Sequence, residues 1–64
     1  MFKSGQVLRT PFEFDNALFF GMAVIVWQEG SIIDYGGPIT KHTDAAVYIN
    51  DGYFLKATCE FRIR

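Results

Sequence analysis

The sequence predicts a single all-β domain spanning residues 1–64: five short antiparallel strands, with one helical turn before the last. Three observations predict it. Six glycines and two prolines cut the chain into short segments, with no repeat, linker or low-complexity tract. The apolar runs are rich in valine, isoleucine and aromatic residues, which suit the pleated surface of a sheet. From Tyr53 to Ile63 every odd position is apolar, and from Lys56 to Arg64 every even position is polar. That two-residue period belongs to a strand with one covered face.

The elements follow in order. GQVLR (5–9) is the first strand, stopped by Pro11. TPFEFDNA (10–17) reads as a loop carrying Phe12 and Phe14, with Asp15-Asn16 as a turn signal. LFFGMAVIVWQ (18–28) is the second strand. The unbroken Val24, Ile25, Val26 and Trp27 predict that both its faces are covered, by this domain or by another chain. QEGS (28–31) is a tight turn into a return strand, SIIDYG (31–36). GGPITKHTD (36–44) is the most irregular and polar stretch and reads as a connection. AAVYIN (45–50) is the fourth strand, and NDG (50–52) turns it back, since Asp and Gly tolerate positive φ. In the closing segment Leu55, Thr58, Cys59 and Arg62 also fall at helical spacing. Alternation over 53–64 is cleaner, so this is a strand interrupted by one helical turn at Lys56–Cys59.

Composition bounds the function. A 64-residue domain buries only about 60% of the surface of its unfolded chain. One cysteine, Cys59, allows no internal disulfide, and one histidine, His42, allows no tetrahedral zinc site built from Cys and His. Half the residues are hydrophobic and 17% are aromatic, more than a single small core easily hides. A homo-oligomer, or an apolar face kept for a partner, is expected. Six Lys/Arg against seven Asp/Glu give a net charge of −1, which argues against a generic nucleic-acid binder. MFKSGQVLRT has no long apolar core behind its lysine and does not read as a signal peptide. The apolar run Ala17–Trp27 contains Gly21 and falls well short of the ~20 residues of a membrane span. The expectation is a soluble protein of a reducing cytoplasm, with no membrane partner.

Five short strands, a long segment after the first, and Tyr53-Phe54-Leu55 followed by a turn and Glu60–Ile63 resemble the SH3-like small barrels of bacterial and phage proteins. The resemblance implies that the first and last strands pair. Lys3 and Arg9 would then approach Lys56, Arg62 and Arg64, leaving Glu60 as the acid in a basic flank. That flank either meets an acidic partner or a phosphate, or is the ordinary solvent face that keeps an edge strand from aggregating.

No constellation points to catalysis. Cys59 and His42 are the one thiol–imidazole pair, and Cys59 falls on the apolar parity, where a cysteine is usually inert. Glu13 and Asp15 lie in an aromatic segment unsuited to a carboxylate dyad, and neither a Ser-His-Asp spacing nor a phosphate-loop pattern occurs. The binding candidates are the 34–44 stretch and the closing strand. Gly36 and Gly37 offer backbone amides to an anion, beside Lys41 and His42, and Tyr35 offers a ring for stacking. Phe54 is the one apolar break in the even-numbered face and so either the leading exposed aromatic or a ring packed under the 10–17 loop, and Arg62 and Arg64 carry the basic flank. The reading is a non-enzymatic barrel with no cofactor, acting on a protein partner or on a second copy of itself. A phage or mobile-element regulator or inhibitor fits this size and chemistry. The rivals are a nucleic-acid binder using the basic flank and an oligomer that sequesters a small anion at Gly36, Gly37, Lys41 and His42.

Overall fold

The computed structural model describes residues 2–64. Its elements are β1 (Val7–Leu8), α1 (Pro11–Phe19), β2 (Ala23–Gln28), β3 (Ser31–His42), β4 (Ala46–Ile49), β5 (Gly52–Leu55) and β6 (Glu60–Ile63). The six strands form one antiparallel sheet in the order β1-β6-β2-β3-β4-β5. The all-β class therefore holds, and the first strand does pair with the last, Val7 opposite Arg62 and Leu8 opposite Phe61. The barrel is not closed, because β1 and β5 remain the two edges.

The largest departure from the sequence reading is residues 10–17, which start a helix rather than a loop. Thr10 is its N-cap: the hydroxyl accepts from the Glu13 amide, and Glu13 Oε1 accepts in return from the amides of Thr10 (3.0 Å) and Arg9 (2.7 Å). Thr10-Pro11-Phe12-Glu13 is thus a capping box with proline in the first turn, where its missing N–H costs nothing. Gly21, at φ +64°, ends the helix. The Gly21 amide donates to the Leu18 carbonyl and the Met22 amide to that of Ala17, a Schellman pattern. Leu18–Phe20 accordingly belong to the helix end, and the second strand is confined to 23–28.

Both hairpin turns appear where expected. Glu29 and Gly30, both at positive φ, join β2 to β3, and Asn50-Asp51 joins β4 to β5 with Asn50 at φ +55°. The 36–44 stretch is not a connection. Through His42 it is the second half of the twelve-residue β3, which pairs with β2 up to Pro38 and with β4 from Ile39, and only Thr43–Ala45 connect to β4. The change of partner follows a bulge, in which Tyr35 and Gly36 oppose Ile25 alone between the pairs Val26–Asp34 and Val24–Gly37. Gly36 has φ +61°, and a Cβ there would collide with the Val24 carbonyl.

Val24 and Val26 of β2 point inward against Ile63 and Phe61 of β6, and Ile39, Val47 and Ile49 complete the sheet's share of the core. Helix α1 adds Phe14 and Ala17. Phe14 meets Phe61 edge-on (5.6 Å, 80°) and leans on His42 (5.7 Å), so it joins β6 to the far end of β3. In the closing segment the single turn is present, with the Thr58 and Cys59 amides on the Leu55 carbonyl. It shifts the alternation. Phe61 and Ile63 are buried as expected, whereas in β5 Phe54 faces the core, opposite the buried Val47, and Tyr53 and Leu55 are exposed. The reading of Phe54 as the exposed aromatic is corrected for that reason.

Two outcomes check these contacts. Gly30→Ala, at positive φ in open space, is expected to cost about 1 kcal/mol, and Gly36→Ala clearly more because of the collision. Equal urea midpoints for the two variants would contradict that assignment. The Arg9 and then the Thr10 amide hold the Glu13 carboxyl below its ordinary 4.5. Its contribution is therefore full above that value and is lost as pH falls through the lower folded pKa. Glu13→Gln should flatten the acid limb of the stability curve, read by thermal melts below pH 5.

Candidate interaction surface

The exposed face of α1 is aromatic. Phe14 and Ala17 point inward, so Phe12, Asn16 and Phe19, near the opposite side of a 100°-per-residue wheel, point outward. Phe12 is 73% exposed, Phe19 80% and Phe20, just past the helix end, 55%. Phe19 and Phe20 stack edge-on at 5.1 Å, one against the other rather than against the core. Between the helix and the N-terminal segment runs a groove of about 390 Å³ lined by Phe2, Gln6, Phe12, Glu13, Asn16 and Phe20. Its polar lining is Gln6, Glu13 and Asn16, with Glu13 Oε1 accepting the two cap amides.

The residues picked from the sequence are not brought together. Tyr35 is exposed at the β3 bulge, and Gly36 and Gly37 do not form an open anion cradle. The Gly36 amide donates to Asp34 Oδ1 at 2.5 Å, so the chain's own carboxylate takes that place. Arg64 is drawn to the same bulge, where its guanidinium donates to the Tyr35 carbonyl. Lys41 lies on the outer face with its Nζ over the Tyr48 ring (5.3 Å), and Tyr48 packs on Tyr53 (5.7 Å). His42 points to the inner side, where Nε2 meets Asp15 Oδ1 of α1 at 2.5 Å and Nδ1 faces Lys56 Nζ at 3.5 Å. His42 thus pins α1 to the sheet and stands apart from Lys41.

The basic flank is divided as well. Lys56 turns onto Phe14 (4.4 Å), which packs on Phe61, whereas Arg62 is the next residue along β6 and lies on the opposite face. Arg62 covers the Trp27 ring (4.1 Å) and forms an ion pair with Glu60. Trp27 Nε1 is buried beneath it and has no hydrogen-bond partner. Arg9 lines a hollow with Lys56, Cys59 and Glu60, the last of which is the ion-pair partner of Arg62. Among the described residues no group of three His, Cys, Asp or Glu is placed to hold a metal, and no helix is long and apolar enough to cross a membrane.

The aromatic ridge of α1 is not evident from a reading of TPFEFDNA (10–17) as a loop with a turn signal at Asp15-Asn16, because Thr10–Glu13 is a helix cap. Had the capping box and the Phe20-Gly21 stop been combined, the spacing of Phe12 and Phe19 would have placed both opposite Phe14.

Removing the Arg62 cover is expected to expose Trp27. Arg62→Ala should shift tryptophan emission to longer wavelength and cost about 1 kcal/mol, and unchanged emission would show that the indole does not depend on that lid. No family model, curated protein or solved structure matches this chain.

Proposed function

We propose that this chain is a non-enzymatic binding module that engages another protein through the aromatic ridge of α1. One observation carries the reading: Phe12 and Phe20 line a largely apolar groove and Phe19 stands in solvent against Phe20, on and just past a helix that commits Phe14 and Ala17 to the core. Aromatic rings concentrate in the centres of protein interfaces, and leaving three of them in water opposes solubility unless something covers them. The groove suits an apolar or amphipathic segment. It offers rings to pack against, the side chains of Gln6 and Asn16 for edge hydrogen bonds, and the Glu13 carboxylate in its wall. A regulator or inhibitor that docks on a larger protein fits this description.

The test is a selection from a random-peptide library on the immobilised chain. Peptides with spaced apolar anchors should be enriched, and their binding should fall at least about tenfold on Phe12→Ser/Phe19→Ser while surviving Lys41→Ala. Enrichment that follows Lys41 instead, or acidic peptides bound through Arg9 and Lys56, would overturn the assignment to α1. Both phenylalanines are exposed, so the double variant should retain the wild-type melting curve.

A further inference from the structure

The two edges of the sheet are treated unequally. β1 is two residues long and flanked by Lys3 and Arg9, the short and charged kind of edge that resists pairing. β5 is twice as long, with Asp51 at its start and Lys56 at its end. Gly52-Tyr53-Phe54-Leu55 contains no charge and no proline, and it pairs with β4 in unbroken register. Lys56, the cation best placed to guard it, is withdrawn over the Phe14 ring toward His42. Tyr53 and Leu55 are left 62% and 47% exposed.

The backbone of β5 has a definite polarity. The Lys56 amide donates to the Ala45 carbonyl, and hydrogen-bonded pairs alternate along an antiparallel ladder. Phe54 and Gly52 therefore direct their amide and carbonyl groups to β4, and Tyr53 directs both of its own to the open side. The Leu55 carbonyl also faces that side, where it accepts from Thr58 and Cys59. Tyr53 thus presents one free donor and one free acceptor side by side. That set is complementary to itself when rotated by 180° about an axis normal to the sheet.

We infer that β5 is a self-association edge, pairing antiparallel with β5 of a second copy about a two-fold axis through Tyr53. Each Tyr53 amide donates to the Tyr53 carbonyl of the other copy. The outer row Lys41, Tyr48, Tyr53 then runs on into the same row of the second chain, and the two Tyr53 rings meet at its centre. Asp51 falls opposite Leu55 of the other copy rather than opposite its own equivalent, so no like charges face each other. A four-residue contact is small, so the dimer is a weak one whose population rises with concentration. This interface uses no residue of the α1 groove and would display two ridges on one particle.

Sedimentation velocity over a concentration series tests it. The wild-type chain should move from monomer to dimer. Tyr53→Lys sets two ammonium groups together at the axis and should raise the dissociation constant by about tenfold or more. Tyr53→Pro removes the edge amide without touching the β4 ladder and should do the same. Phe12→Ser/Phe19→Ser should dimerise like the wild type, which separates this edge from the α1 surface. A wild-type chain that stays monomeric into the millimolar range overturns the inference, as does a dimer that survives Tyr53→Lys or is lost in the α1 variant.

Discussion

The fold depends on one strand changing partners in mid-course. β3 lies against β2 along its first part and against β4 along its last, one on each edge, and its pairing with β2 is interrupted between Asp34 and Gly37 before the pairing with β4 begins. The bulge at Tyr35-Gly36 supplies the break, and it works only because Gly36 adopts a left-handed φ where the Val24 carbonyl leaves no room for a Cβ. A bulge leaves backbone groups without ladder partners, and such groups are costly when buried. Here the Gly36 amide is met by Asp34 and the Tyr35 carbonyl by Arg64. Side chains that look available for a ligand are therefore part of the frame.

The same economy governs the other cations of the closing segment. Lys56 covers Phe14 and reaches His42, and Arg62 covers Trp27 while pairing with Glu60. In so small a domain, long cationic side chains act as lids over rings that the core cannot fully enclose. Their charges are spread over two faces and four local partners, so they do not sum to the concentrated field that phosphate recognition requires.

Helix α1 divides the aromatic residues into two populations. Phe14 is the anchor that ties the helix to β6 and β3, with the Asp15–His42 contact holding its flank. Once Phe14 and Ala17 are committed inward, helical geometry sends Phe12 and Phe19 to the opposite side. The apolar excess evident in the composition is thereby collected chiefly at α1, with further exposed side chains on β5 (Tyr53, Leu55) and β3 (Ile33, Tyr35). Contiguous apolar surface of this kind distinguishes a binding face from incidental exposure.

The sequence alone determined what local rules govern. The all-β class, the turns at Glu29-Gly30 and Asn50-Asp51, the turn after Leu55 and the inward parity of Phe61 and Ile63 all follow from short-range preference and period. The capping box at Thr10–Glu13 was also written there, but two phenylalanines and an Asp-Asn pair obscured it. Tertiary structure alone decided the rest. Whether Tyr53 or Phe54 faces inward depends on how many residues the intervening turn consumes, and a one-residue change of phase exchanges the two faces. Whether a glycine pair is a connection or a bulge depends on which strands lie on either side. Whether a lysine is free depends on which ring lies within reach. Each of these is set by residues distant in the chain, so local pattern carries no record of it.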